Sequence, residues 1–233
     1  MKNNNEEYVF ASSWGVSTRL IGAIIMVHGD DSGLRLPPSI APTQVVIVPF
    51  FKTEDELNTI QDYINPHIKQ LSDAGIRVLL DDREKMSPGF KFNEWELKGA
   101  PVRLEIGFKE IENNQITVFR RDIKEKEYIS SDAVVDHVLN LLEVIQDNMF
   151  NQANDFMNSN IFTTDNYDEF KEIIANGGFV RCGWDGSDES EKKIKEETKA
   201  TIRCIPFDES PSNLNCILTG QSAKHEVIFA KAY

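Results

Sequence analysis

Gln44-Val-Val-Ile-Val-Pro-Phe-Phe51, Thr53-Glu-Asp-Glu56 and Ile76-Arg-Val-Leu-Leu80 decide the fold of this chain. The first is a short apolar run of the kind a buried strand shows, bracketed by Pro42 and Pro49. Thr53 is placed to cap a helix, and Glu56, third within it, completes a capping box. Leu57, Ile60, Ile64, Ile68 and Leu71 keep helical spacing, Gly75 closes the helix, and the run from Ile76 is a second strand. A strand–helix–strand crossover implies a parallel pair. The pattern therefore predicts an α/β unit with a mixed sheet and helices on its faces.

Downstream, Val102-Arg-Leu-Glu-Ile106 and Gln115-Ile-Thr-Val-Phe119 alternate like strands about the turn Glu112-Asn-Asn114. Residues 132–150 carry the Val135, Val138, Leu142, Ile145 stripe of a helix. A polar stretch follows, and then a compact α/β unit. In it Asp165 is placed to cap a helix through Tyr167, Phe170, Ile173 and Ile174, Gly177-Gly178 stops it, and Phe179-Val-Arg-Cys-Gly183 and Val227-Ile-Phe-Ala230 are strands. Three divisions are expected: residues 1–42, 43–150 and 151–233.

With 233 residues the chain exceeds a typical domain of ~100–150 residues, which fits two small domains and a leading segment. No run approaches the ~20 apolar residues of a membrane span, and Met1-Lys-Asn-Asn-Asn-Glu-Glu7 has no secretory signal character, so no membrane association and a cytoplasmic location are expected. Three scattered cysteines, Cys182, Cys204 and Cys216, point to reduced thiols, with Cys204 expected as a small buried apolar residue. The net charge of −13 opposes polyanion binding by the chain as a whole. Between Arg83 and Arg121, however, eight basic side chains outnumber six acidic ones. Nucleic-acid affinity would have to be local to that segment.

Upstream, Ser12-Ser-Trp-Gly-Val-Ser-Thr-Arg-Leu-Ile-Gly-Ala-Ile-Ile-Met-Val-His-Gly29 predicts a buried helix, capped by Ser17, apolar through Leu20, Ile21, Ile24, Ile25 and Val27, and ended by Gly29. Arg19 falls in its first turn, where free N–H groups and the macrodipole favour an anion. A helix-terminal ion pair is the alternative reading. Residues 81–99 interleave acids, bases and aromatics, which suits either a packed helix with a solvated face or a surface that stacks and hydrogen-bonds single-stranded RNA.

Residues 12–38, together with Ser87-Pro-Gly-Phe-Lys-Phe-Asn-Glu-Trp-Glu-Leu-Lys-Gly-Ala-Pro-Val-Arg-Leu-Glu-Ile-Gly107, Cys204-Ile-Pro-Phe207 and Phe229-Ala-Lys-Ala-Tyr233, resemble the C-terminal half of prolyl-tRNA synthetases of the archaeal and eukaryotic type. Residues 12–38 resemble motif 3 of class II aminoacyl-tRNA synthetases. The resemblance implies a remnant of the class II catalytic core at 1–42, an anticodon-binding domain at 43–150 and a small C-terminal α/β domain at 151–233. It implies activation of proline with ATP and transfer to tRNA(Pro) by the complete, homodimeric enzyme, with Mg accompanying ATP. Motifs 1 and 2 are not found in this sequence, so the chain alone is expected to be inactive.

By the same resemblance Arg19 is the catalytic contact to ATP phosphate, with Ser13, Trp14, Gly15 and Thr18 beside it in the ATP, adenylate and proline pocket and Gly22 a weaker candidate. Asp82, Arg83, Glu84, Lys91, Glu94, Lys98 and Arg103 are the implied anticodon contacts. Proline anticodons carry two adjacent guanines, whose Watson–Crick edges offer donors to Asp or Glu and O6 to Arg or Lys. Tyr233 is implied to be an ordered clamp near motif 3. The family often holds a four-cysteine zinc site, but here Ser190 and Thr219 stand where the second and fourth ligands would, beside Cys182 and Cys216. Two thiolates with two neutral hydroxyls make a poor zinc set, so zinc and any other resident metal are not expected. A stand-alone tRNA-binding module without catalysis, or a piece of a split gene, are the other readings.

Overall fold

The computed structural model describes residues 8–232, arranged as two compact units divided between Asn151 and Gln152. Residues 1–7 and Tyr233, the position expected to act as a clamp, lie outside the described residues.

The first unit is built on a five-stranded mixed sheet of order β2-β1-β3-β4-β5, from β1 (Val45–Pro49), β2 (Val78–Leu80), β3 (Val102–Ile106), β4 (Gln115–Arg120) and β5 (Glu125–Ser130). β1 runs parallel to β2 and β3; β3, β4 and β5 pair antiparallel. The crossover from β1 to β2 is α2 (Glu54–Asp73), as its spacing predicts. Thr53 accepts the Glu56 N–H, whereas the Glu56 carboxylate reaches one residue further back, to the Lys52 N–H at 2.7 Å. Gly75, at φ +83°, and Ile76 close the helix by returning their N–H groups to Ser72 and Leu71.

Every residue of β1 and β3 is buried, because helices cover both sheet faces. Val45 and Ile47 of β1, Val102, Leu104 and Ile106 of β3, and Ile116 and Val118 of β4 pack with Ile60, Ile64 and Leu71 of α2 and with Val138, Leu142 and Ile145 of α5 (Val134–Ser159). Val46 and Val48 pack with Trp95 of α3 (Pro88–Lys98), Phe92 and Ala100. Sequence pattern ends the last helix at residue 150; α5 instead continues through the polar stretch to Ser159. Neither β5 nor the five-residue α4 (Phe108–Glu112) was legible from periodicity.

The expected buried N-terminal helix is corrected in two respects. α1 (Arg19–His28) buries no residue, and Leu20, Ile21, Ile25, Met26 and Val27 are exposed, since no other described residue covers them. Its cap position is Thr18, whose side chain makes no capping bond; Ser17 Oγ accepts the Arg19 N–H instead. Gly29 does end the helix, donating to the Ile25 carbonyl, and Arg35 Nε donates to the His28 carbonyl.

From there a strap is laid across α3. Leu34 and Leu36 donate to the carbonyls of Leu97 and Gly99, and the buried Arg121 grips Asp30 through two bonds of 2.8 and 2.6 Å while reaching the Glu96 carbonyl. Gly33 permits this approach: its φ is +124°, and a Cβ there would lie 2.5 Å from Leu97 Cα. Gly33→Ala is therefore expected to destabilise this unit by roughly 2–4 kcal/mol, from backbone strain and overpacking together. Urea denaturation checks it, and an unchanged midpoint would dismiss the packing argument.

The second unit has a four-stranded mixed sheet of order β6-β7-β9-β8, from β6 (Ile161–Thr163), β7 (Phe179–Trp184), β8 (Ala200–Cys204) and β9 (His225–Lys231), with α6 (Tyr167–Ala175) and α7 (Asp188–Thr198). Phe170, Ile174, Val180, Cys182, Ile194, Val227 and Phe229 form its core. Asn166, not the expected Asp165, caps α6 by accepting the N–H groups of Asp168 and Glu169. Cys204 is a second correction: β8 is an edge strand with a bulge between Ile202 and Cys204, and the Cys204 thiol is exposed.

Candidate nucleic-acid interface

β1, β2 and β3 are parallel, so their C-terminal ends lie at one edge of the first sheet, the place where open α/β sheets bind ligands. Residues 81–86 leave the end of β2 there and lead into α3. Ser87 starts that helix by accepting the Phe90 N–H, with Pro88 preset at its first position, and Gly99, at φ +76°, ends it.

Asp81 organises the segment. Its buried carboxylate receives two parallel bonds from Arg83, at 2.8 and 2.7 Å, and one from Trp95 Nε1 at 2.8 Å. The Lys91 ammonium donates to the Asp81 carbonyl at 2.9 Å and stands 3.9 Å from its carboxylate. Burial pushes the Asp81 carboxyl up, but the Arg83 and Trp95 bonds and the Lys91 charge outweigh it, leaving the group at about 2. The same hydrogen bonds hold Arg83 firmly protonated.

Above this buried anchor the surface is charged and ordered. Arg83, whose side chain is 41% exposed, also meets Glu94 at 2.6 Å, and Glu94 in turn binds Lys98 at 2.7 Å. Both cations hold the Glu94 carboxyl below its ordinary range. The Lys98 ammonium lies over the Trp95 ring, 4.7 Å from its centroid. Asp82 and Glu84 are exposed, and with Leu57, Arg83, Lys85 and Met86 they line an open depression of about 470 Å³. A guanidinium fixed in orientation can stack on a base, and the exposed carboxylates beside it can accept from the donors of a guanine edge.

Two expected contacts are relocated. Lys91 is 1% exposed and Arg103 4% exposed, so neither reaches the surface. Arg103 is clasped between the rings of Phe92 and Phe119, at 3.9 and 4.1 Å, and paired with Glu105 and Glu96. Desolvation lowers the Lys91 pKa. These two residues frame α3 rather than present charge. Sequence reasoning left out Asp81, the organiser of the group; the only signal is a second carboxylate beside Asp82, directly after a strand. Of the expected contacts, the structure brings together Asp82, Arg83, Glu84, Glu94 and Lys98 on one surface.

The other candidate group is not gathered into a pocket. Ser13, Trp14, Gly15, Thr18 and Arg19 are all exposed in the segment that enters α1, and Gly22 lies within the helix. Among the described residues no group of three or more His, Cys, Asp or Glu side chains could hold a metal, and no helix is long and apolar enough to cross a membrane.

Comparison with known proteins matches the sequence to two family models. Residues 44–141 match the anticodon binding domain, and residues 167–233 match the C-terminal domain of prolyl-tRNA synthetase. The chain is 50% identical to a proline–tRNA ligase of Bacteroides fragilis over 238 residues, covering 100% of this chain and 48% of the relative. It is 49% identical to that of Phocaeicola vulgatus (100% of this chain, 47% of the relative) and 49% identical to that of Flavobacterium johnsoniae (98% and 46%). The chain spans about half the length of the curated relatives it matches.

Proposed function

The chain belongs to the prolyl-tRNA synthetase family, and from that premise we propose that its first unit holds the anticodon loop of tRNA(Pro) while the α1 segment serves the catalytic site of the complete enzyme. The observation that carries the RNA reading is Arg83. It is fixed by Asp81 and Glu94, yet open, and it stands beside the exposed carboxylates of Asp82 and Glu84. Arg83 and Lys98 supply cationic and stacking contacts, and Asp82 and Glu84 accept from guanine N1 and N2 donors. Lys91 and Arg103 support them from within.

The complete enzyme would join the proline carboxylate to the α-phosphate of ATP, release pyrophosphate, and pass the prolyl group to the tRNA 3′ end with release of AMP. Ser13, Trp14, Gly15 and Thr18 would line the proline and adenylate pocket, and Arg19 would meet phosphate charge. In this reading residues 1–42 are the end of a class II catalytic core, the enzyme works as a homodimer in the cytoplasm, and Mg arrives with ATP as part of the substrate.

Titrating the chain with tRNA(Pro) transcripts tests the RNA role. Affinity is expected to fall with salt, and changing either anticodon guanine should weaken binding by roughly 10-fold or more, the scale of one lost bidentate base contact. Glu84→Gln should relax preference at one base, and Arg83→Glu should weaken binding to both. Equal affinity for matched and guanine-changed transcripts would refute the assignment.

A further inference from the structure

We propose that Asp185 is a carboxylate clamp that does in the second unit the work of a structural metal, tying the turn between β7 and α7 to the loop of residues 216–221. Its Oδ1 receives Ser190 Oγ at 2.7 Å, Ser187 Oγ at 2.9 Å and the Ser187 N–H at 3.0 Å, while its Oδ2 receives Thr219 Oγ1 at 3.1 Å. One carboxylate thereby gathers donors from both segments.

The hydroxyls are fully used. Ser190 Oγ donates to Asp185 and accepts from Trp184 Nε1 at 2.9 Å, and Ser187 Oγ donates to Asp185 and caps α7 by accepting the Ser190 N–H. Burial raises the Asp185 carboxyl, and the bonds from Ser190, Ser187 and Thr219 more than reverse this, to about 2. The anion is thus the form the site is made for.

Ser190 and Thr219 are the two residues that replace cysteines in the four-ligand pattern, and the remaining pair is close at hand. Cys182 and Cys216 are both buried, Gly183 bridges to Cys216, and a Cβ on Gly183 would stand 2.4 Å from the Asn215 carbonyl. Two thiols with two hydroxyls already bonded to a carboxylate fit zinc poorly. Ser190 and Thr219 converge on the Asp185 carboxylate, which stands where the four-ligand pattern would put an ion.

The test uses the full chain. Expressed with zinc present, it should retain less than ~0.1 zinc per chain, and a chelator should leave its melting curve unchanged, unlike a structural site. Asp185→Asn should speed amide exchange in residues 187–190 and 216–221 by at least ~10-fold, consistent with removing charge-assisted hydrogen bonds. If that variant is poorly folded, Ser190→Ala with Thr219→Ala removes the two outer donors and should speed exchange in the same segments. Ser190→Cys with Thr219→Cys should convert the position to a site for about one zinc per chain, read by cobalt absorption. Stoichiometric zinc in the native chain, unchanged exchange after the clamp is cut, or failure of the four-cysteine variant to take metal each overturns the proposal.

Discussion

Replacing Asp81 by alanine is expected to destabilise the first unit by about 3–5 kcal/mol, because it strands charge that the fold has taken out of water. Lys91 is 1% exposed, and its ammonium faces the Asp81 carboxylate and carbonyl. Without the carboxylate, that cation is buried uncompensated, Trp95 Nε1 loses its acceptor, and Arg83 keeps only Glu94. The loss carries a pH signature. Asp81 is held at about 2, below its ordinary 3.8, so its contribution is fully present above about pH 4 and disappears as pH falls through 2. Urea denaturation at pH 7 and pH 3 should show a large gap between native and variant at pH 7 that narrows at pH 3. Lys91→Met added to Asp81→Ala should recover part of the loss, since it removes the orphaned charge. If Asp81→Ala alone costs under ~1 kcal/mol, the scale of an exposed ion pair, the buried anchor is misassigned.

The same cluster shows how far the sequence could be followed. α2, β1, β3 and β4 were legible because apolar residues fall at their proper periods and Thr53 and Gly75 mark their limits. The charged alternation of β3 was misleading in one respect. Arg103 and Glu105 occupy the positions a one-sided strand gives to solvent, yet α3 lies on that face, and the two charges satisfy one another with Glu96 and Lys126. Pattern shows which residues share a face; it does not show whether another element covers it. β5 was missed for the complementary reason. Glu125-Lys-Glu-Tyr-Ile-Ser130 has the charges of a protected edge strand, and its pairing with β4 supplies what its own composition lacks. For the proposed RNA face, residue types could be read from the sequence but accessibility could not: Arg83 and Lys91 look equivalent in sequence, and only one of them is open.

Arg19→Ala in a complete synthetase carrying this segment is expected to slow proline activation by at least ~10²-fold, the usual scale for losing one preorganised group aimed at developing charge. The residue enters α1 at its first turn, where free N–H groups and the helix dipole add to its own charge. Among the described residues it forms no ion pair, and its side chain is exposed, so nothing there consumes the guanidinium. A structural role and a role at phosphate therefore predict different outcomes. If Arg19 only secures the helix end, alanine should lower the melting temperature and leave proline-dependent ATP–pyrophosphate exchange near normal. If it meets phosphate, exchange should collapse while the melting curve stays in place. Arg19→Lys should recover only part of the rate, because lysine restores the charge but not the planar fork that binds two phosphate oxygens together. Exchange is the right measurement because it reports adenylate formation before any tRNA is bound, which separates Arg19 from the anticodon face. A normal exchange rate for Arg19→Ala would detach the catalytic assignment from α1 and leave Arg19 with a structural role alone.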